Sequence, residues 1–176
     1  AYDFSVRSRN PSQHWVEHAR ASVGVFHGSL EAEPPPPDSP DDPDGPDGTD
    51  GPDGSWRRGE IPQEGAVGFG PRWHNIASMQ FAGQEGTARM ALAERFKSDL
   101  AHYACHPALS DMAATFGLHL LGAQARQQSL FVPLAIERIR LAAPLPRELI
   151  SRVALKGQSD PRIAAFDVYL HAPSGS

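Results

Sequence analysis

The chain has 176 residues, of which 40% are apolar and 21% charged, and its formal net charge is −5. This length is sufficient for one domain with a buried core, and no apolar run is long enough to cross a bilayer as a helix. Cys105 is the single cysteine, which excludes an intrachain disulfide framework and favours a reducing compartment. We therefore expect a cytoplasmic protein without a membrane partner.

The negative charge is concentrated in one segment. Residues 34–54 contain seven aspartates and no basic residue, so removing these seven charges from a net −5 leaves +2 for the rest. That remainder has no dense basic cluster, and we expect no nucleic-acid partner. A segment built from Pro, Asp, Gly, Ser and Thr has too little apolar surface to offset the entropy cost of ordering. We predict a disordered Pro/Asp/Gly-rich insertion at residues 31–63 of a single domain spanning 1–176.

Period-two alternation of apolar and polar residues predicts strands on both sides of this insertion. In the first strand, for example, Tyr2, Phe4 and Val6 alternate with polar residues. The predicted strands lie at residues 2–7, 15–26, 86–95, 131–141, 149–155 and 163–170. Residues 68–71, with the sequence Gly-Phe-Gly-Pro, are predicted to form a turn or loop.

One helix is predicted between these strands, at residues 107–125. Pro107 suits the first helical turn, and no further proline follows within the segment. Apolar residues recur at three- and four-residue spacing, which places them on one face. They are Leu109, Met112, Ala113, Phe116 and Leu120. The order of elements predicts an α+β fold in which an antiparallel sheet wraps around one long, largely buried helix.

Asp111 is the residue of this helix best suited to act as a catalytic group. It is predicted in the first turn, with Thr115 one turn later on the same ridge. A helix N-terminus favours the carboxylate, whereas burial in an apolar pocket favours the protonated acid, which could protonate a leaving hydroxyl. From these residues alone, an ordinary first-turn aspartate is the simpler interpretation.

Three motifs give the chain a resemblance to polyketide synthase dehydratases. Residues 103–117, YACHPALSDMAATFG, resemble the family motif His-Pro-Ala-Leu-Leu-Asp, which is followed four residues later by Gln or His. Residues 68–73, GFGPRW, resemble the Tyr-Gly-Pro-x-Phe loop, and residues 131–137, FVPLAIE, resemble the Leu-Pro-Phe-Ser strand. Because the motifs occur in family order, the chain resembles the C-terminal half of a dehydratase domain.

The resemblance implies one half of a double hot dog, in which each antiparallel sheet wraps around a long central helix. It implies elimination of water from a β-hydroxyacyl group carried on the phosphopantetheine of an acyl carrier protein. A histidine of the first half would remove the α-proton, and Asp111 would protonate the departing hydroxyl. The implied partners are the N-terminal hot-dog half or a second copy, the acyl carrier protein and other synthase domains.

No metal and no directly bound cofactor is implied. The positions that match the family motifs give the candidate substrate-binding residues. They are Gly70, Pro71, Trp73, His106, Pro107, Thr115 and Pro133.

The sequence departs from the family pattern at three places. The complete His-x-x-x-Gly-x-x-x-x-Pro motif that supplies the base does not occur in these 176 residues, since only His171 has glycine four residues on, at Gly175, and the proline of the motif is not present. Thr115 replaces the Gln or His that would orient the Asp, and Phe69 replaces the loop tyrosine. We expect His106 to shape the turn before the helix rather than to replace the missing base.

Three functions therefore stay open. The first is a dehydratase subdomain that contributes its Asp to a composite active site. The second is a dehydratase-like isomerase, cyclase or thioester hydrolase, suggested by Thr115. The third is a non-catalytic hot-dog module for assembly or for holding an acyl chain, which an Asp111 pointing into solvent would favour.

Overall fold

The computed structural model describes residues 1–28, 55–121, 130–157 and 162–173. Two compact units, Ala1–Ala32 and Glu33–Ser176, make up the chain. Most of the predicted insertion lies outside the described residues, so its disorder and the single domain over 1–176 stay predictions. Within the described ranges no helix is both long and apolar enough for a bilayer crossing.

The first unit is an antiparallel hairpin of β1 (Tyr2–Arg9) and β2 (Trp15–Val23), which confirms the two strands predicted there. Its register pairs Tyr2 with Val23, Phe4 with Ala21 and Val6 with Ala19. These three pairs therefore share one apolar face. The face is uncovered, since Tyr2 is 82% exposed and Phe4 54%. Two strands alone cannot bury such a face, and an isolated hairpin is marginally stable in water.

The second unit contains a five-stranded antiparallel sheet in the order β3-β4-β5-β6-β7. The strands are β3 (Arg57–Arg58), β4 (Ile76–Ala82), β5 (Glu85–Ala91), β6 (Glu148–Leu155) and β7 (Phe166–His171). The connection from β5 to β6 contains a 3-10 helix at Glu94–Ala101, the α-helix α1 at Pro107–Thr115 and a second 3-10 helix at Phe116–Leu120.

α1 packs against the central strands, as the predicted apolar face requires. Alternate residues of β5 and β6 are buried beneath it, with Ala88 paired to Ser151 and Met90 to Leu149. The Ser151 hydroxyl is buried and donates a hydrogen bond to the Ala113 carbonyl at 2.8 Å, so its burial costs no unsatisfied group. The core consists of Met79, Ala88, Met90, Leu92, Leu109, Met112, Ala113, Phe116, Leu145, Leu149 and Val153.

The helix is shorter than predicted. Its α-helical part ends at Thr115 and the 3-10 helix ends at Leu120, while residues 122–125 lie outside the described residues. Because α1 begins at Pro107, Asp111 is its fifth residue and lies in the second turn. The predicted first-turn position is therefore wrong, and the helix dipole, which acts within the first turn, contributes little there.

The strand predicted at 131–141 is also wrong. Most of this segment is exposed and irregular, with Val132 68% exposed and Leu134 85%. The backbone of Phe131 is bound instead by the Gln63 side chain, through hydrogen bonds of 2.6 and 2.9 Å. Alternation shows that a segment can present one apolar face, but a strand forms only where a neighbouring strand offers unpaired backbone groups.

Two features of the second unit were not predicted. β4 was missed because a register shift between Ile76 and Ser78 interrupts its period-two pattern. Residues 55–63, predicted as the end of the insertion, are ordered, since they include β3 and Ile61 packs against the core. The described part of the predicted insertion therefore belongs to the packed unit. Gly59 fits closely in this region, because a Cβ there would lie 2.1 Å from the Ile76 carbonyl oxygen.

Replacing Phe116 with Ala should lower the free energy of unfolding by about 3–5 kcal/mol, because its ring is fully buried between helix and sheet. Urea unfolding followed by far-UV circular dichroism would measure the change. Leu134→Ala is the matched control, since Leu134 is 85% exposed and its loss should cost less than about 0.5 kcal/mol. Equal destabilisation by the two substitutions would contradict this core.

Candidate active site

His106 caps the N-terminus of α1 and is almost fully buried at 1% exposure. Its Nδ1 accepts a hydrogen bond from the Leu109 amide at 3.4 Å, and its Nε2 lies 3.5 Å from Asp99 Oδ2. A neutral imidazole protonated on Nε2 satisfies both contacts. His106 therefore shapes the helix start, as expected from the sequence. Pro107 follows it as the first helical residue and needs no hydrogen-bond acceptor there.

Asp99 connects this cap to the loop before β4. Its Oδ2 accepts a hydrogen bond from Arg72 Nε at 2.6 Å, and the Arg72 guanidinium also lies over the Phe96 ring at 4.3 Å. The hydrogen bond from Arg72, and to a smaller extent the one from His106, lowers the pKa of Asp99 below its ordinary value. The carboxylate thus joins the loop, the first 3-10 helix and the helix cap.

Trp73 and Asp111 are brought together by the same loop. The indole Nε1 of Trp73 donates a hydrogen bond to Asp111 Oδ2 at 2.8 Å, and both residues are half-buried. Asp111 Oδ1 makes no hydrogen bond to any described residue. The family motifs predict both residues for the site, but not the hydrogen bond between them. The residue types give no signal for that pairing, because 38 positions separate them.

Thr115 does not orient the Asp111 carboxylate. Its hydroxyl donates to the backbone carbonyl of Asp111 at 2.8 Å, the usual bond of a threonine to the preceding helical turn. The two residues share one ridge of α1, as the spacing predicts. The side chain of Thr115 acts on the helix backbone rather than on the acid.

Asn75 is a site residue that the sequence did not reveal. It is 3% exposed, and its Nδ2 donates to the carbonyls of Arg72 at 3.0 Å and Ala108 at 2.9 Å. Because both partners are acceptors, they fix the orientation of the amide. Asn75 Oδ1 is buried without a partner among the described residues. The Asn75 amide therefore connects the loop that carries Trp73 to the first turn of α1 by hydrogen bonds.

The other predicted site residues take different places. The Gly70 carbonyl accepts a hydrogen bond from the Trp73 amide at 3.0 Å, so Gly70 and Pro71 form the turn that presents the indole. Pro133 lies in the exposed segment after Phe131, and no contact joins it to Asp111. The structure therefore assembles Gly70, Trp73 and Asp111 in one place. The substrate-binding roles of these residues stay predictions.

None of the eight histidines, all of which lie in the described ranges, is hydrogen-bonded to Asp111. His74 lies 3.8 Å from Glu64, on an open cleft of about 470 Å³ whose lining includes Arg58 and Glu60 but not Asp111. The described part of the chain also holds no cluster of three or more His, Cys, Asp or Glu side chains suited to a metal ion. No histidine of the described residues is therefore placed to act as a base together with Asp111.

Residues 62–176 match the model of a family described as "Polyketide synthase dehydratase N-terminal domain". The chain belongs to the polyketide synthase dehydratase family. This description names the N-terminal domain, whereas the motifs predicted the C-terminal half, so the assignment to one half stays a prediction. The curated proteins contain no match to the chain.

Solved dehydratase structures resemble the chain over nearly its whole length. The dehydratase domain of RzxB from Pseudomonas fluorescens is 17% identical with a TM-score of 0.57, over 99% of this chain and 59% of that one. GphF Dehydratase 1 is 22% identical with a TM-score of 0.63, over 97% and 59% respectively. A third structure, from work on dehydratase substrate selection for the borrelidin and fluvirucin polyketide synthases, is 20% identical with a TM-score of 0.61, over 99% and 56%.

These similarities confirm the predicted α+β hot-dog fold, although the helix at its centre is short. The chain spans less than two thirds of each of the three solved chains. About two fifths of each of them therefore has no counterpart here.

The stability contributed by Asp99 should depend on pH. Because the folded state lowers its pKa from an ordinary value of 3.8, this contribution is complete above about pH 4 and is lost as the pH falls through the lower folded value. The difference in unfolding free energy between wild type and Asp99→Asn, measured by urea unfolding, should shrink between about pH 4 and pH 2.

The Arg72→Met background is the control for that measurement. Arg72 is the largest cause of the lowered pKa, so the pH-dependent part of the difference should become smaller when it is absent. A difference that stays constant from about pH 6 to pH 2 would show that Asp99 is not held as described.

Replacing Asn75 with Ala should lower the free energy of unfolding by about 1–3 kcal/mol, because two backbone carbonyls lose a buried donor. His74→Ala, at the exposed neighbouring position, should change it by less than about 0.5 kcal/mol. Guanidinium unfolding of both variants measures the contrast. An Asn75→Ala variant as stable as His74→Ala would show that the loop does not depend on this amide.

Proposed function

We propose that this chain supplies Asp111 as the catalytic acid of a polyketide synthase dehydratase. Its substrate is a β-hydroxyacyl group carried on the phosphopantetheine of an acyl carrier protein. The reaction is the elimination of water to give an α,β-unsaturated thioester. The catalytic histidine comes from a second hot-dog half, so the active site is composite.

The observation that carries this proposal is the environment of the Asp111 carboxylate. One oxygen, Oδ2, is held by the Trp73 indole, while Oδ1 has no partner among the described residues. The residue is half-buried on a helix that packs against the sheet. A half-buried carboxyl group with one fixed and one available oxygen suits directed proton transfer. It disfavours the non-catalytic alternative, which expects an Asp111 pointing into solvent.

The histidine of the second half removes the α-proton, and the electron pair of that C–H bond forms the α,β double bond. The β-carbon–oxygen bond breaks, and the departing hydroxyl takes the proton of Asp111 and leaves as water. Asp111 ends the step as a carboxylate, which the Trp73 N–H stabilises because it donates to the charged form.

Three observations support a composite site. No histidine of this chain contacts Asp111, and about two fifths of the related solved chains have no counterpart here. The hairpin of the first unit also exposes the apolar face that begins with Tyr2, Phe4 and Val6. In the proposed complete domain, the hairpin pairs with the sheet of the second hot-dog half, which covers this face. The acyl carrier protein and the other synthase domains are the remaining proposed partners.

A shift of the double bond is the second candidate. One of the similar solved structures is described as "GphF DH1 P1711L, L1744P variant: An isomerase-inactive variant of GphF DH1". An acid and a base on opposite sides of an acyl chain can move a proton between carbons as well as remove water. The feature of this chain that favours a reaction other than dehydration is Thr115, whose hydroxyl bonds to the Asp111 backbone and not to its carboxylate.

Asp111→Asn in the complete two-half domain should reduce dehydration of a synthetic β-hydroxyacyl carrier-protein substrate by at least about 1,000-fold, because the proton donor is lost. Mass spectrometry of the acyl chain would follow the loss of 18 Da. Asp167→Asn is the matched control, since Asp167 is a surface carboxylate of β7 paired with Lys156. We expect this control to keep wild-type activity.

Full activity of Asp111→Asn would end the proposal that Asp111 is the acid. Conversion of an unsaturated substrate without loss of mass, together with no dehydration, would assign the domain to the isomerases. No conversion of either substrate by the complete wild-type domain would favour the assembly function.

A further inference from the structure

We propose that Trp73 is the positioning residue for Asp111 and takes over the role that the family motif gives to residue 115. The inference rests on the proposed function of Asp111 as the acid and identifies what holds it. The two residues, Trp73 in the loop and Asp111 in α1, belong to two different family motifs.

Thr115 cannot orient the carboxylate in the arrangement observed. A hydroxyl has one hydrogen to donate, and that of Thr115 is given to the Asp111 backbone carbonyl at 2.8 Å. A Gln or His at this position would carry its donor further from the helix backbone. The substitution therefore removes a donor to the carboxylate from α1 itself.

Trp73 restores the missing donor from the loop before β4. It stands where the family loop has Phe, and the exchange adds one N–H group, the only polar atom of the indole. That group donates to Asp111 Oδ2 at 2.8 Å, a charge-assisted hydrogen bond when the acid is ionised. Relative to the motif, position 115 loses a donor and position 73 gains one. The two departures compensate for each other.

The indole is held by two links between the loop and α1. Asn75 Nδ2 donates to the Ala108 carbonyl at 2.9 Å, and Trp73 Nε1 reaches Asp111 less than one turn later on the same helix. The Trp73 side chain also packs against the core. Because Asn75 is 3% exposed, its amide holds the loop in a water-poor environment. The indole therefore cannot turn away without breaking buried contacts.

This arrangement determines which oxygen of Asp111 transfers its proton. Oδ2 accepts from the indole N–H, and the carbonyl oxygen of a carboxylic acid is a better acceptor than its hydroxyl oxygen, so this bond favours the proton on Oδ1. Oδ1 is the oxygen that carries the proton towards the leaving hydroxyl. Trp73 thus fixes both the direction of the carboxyl group and the atom that delivers the proton.

The hydrogen bond can be tested without any enzymatic assay. The chain has three tryptophans, Trp15, Trp56 and Trp73, so an ¹⁵N-labelled sample gives three indole N–H signals. Trp73→Phe assigns the third signal by removing it. Asp111→Leu, which removes the acceptor at similar size, should move the Trp73 signal upfield and leave that of Trp56 in place. A Trp73 signal that does not move would overturn the proposal.

The positioning role is tested in the complete two-half domain. Trp73→Phe, which restores the family residue, should lower kcat by about 100-fold with little change in KM, because misplacing the acid slows the chemistry and not binding. Trp56→Phe should leave kcat unchanged. Adding Thr115→Gln to Trp73→Phe should recover at least about 10-fold, since it returns the donor to α1.

The outcomes separate this proposal from the previous one. Loss of activity in Asp111→Asn but not in Trp73→Phe would refute the positioning role and keep the acid. A loss in Trp73→Phe that Thr115→Gln does not recover would assign Trp73 a purely structural role and refute the exchange. If the complete wild-type domain is inactive, the proposed function fails, and the indole signal alone decides whether Trp73 holds Asp111.

Discussion

The packing of α1 against β5 and β6 is the constraint on which the rest of the second unit depends. The helix is only nine residues long, yet Leu109, Met112 and Ala113 are almost completely buried. A short helix has little stability of its own in water, so the sheet must supply it. The Ser151 hydroxyl, bonded to the Ala113 carbonyl, fixes the height of the helix on the sheet. Because Asp111 is part of α1, the packing of the helix on the sheet also sets the position of Asp111.

The start of α1 is fixed by polar groups of its cap and of the segments that precede it. His106 caps it, Asp99 and Arg72 support His106, and Asn75 bonds to its first turn. Together these contacts connect the start of α1, the loop before β4 and the first 3-10 helix. The two buried members of this network, His106 and Asn75, favour one arrangement, since a partner that moves leaves a buried group unsatisfied. This arrangement holds the loop where the Trp73 indole reaches Asp111.

In the proposed dehydratase site this chain supplies the acid, and no histidine of its described residues contacts Asp111. The proposed acid lies in a well-packed unit, whereas the hairpin of the first unit exposes Tyr2 and Phe4. An exposed apolar face of this kind is typical of an interaction surface, which agrees with the proposed second half. The family match and the solved dehydratases, of which this chain spans a little more than half, agree with a site completed by residues outside it.

The sequence by itself determined the family, most strands and the buried face of α1. Local patterns such as the 107–120 periodicity and the His106–Asp111 motif carry that information. Only the tertiary structure decided that residues 131–141 do not join the sheet, because pairing depends on a distant partner strand. It also decided that Trp73, not Thr115, holds the Asp111 carboxylate. Such contacts depend on how a loop and a helix 38 residues apart are folded together, and no local pattern encodes that distance.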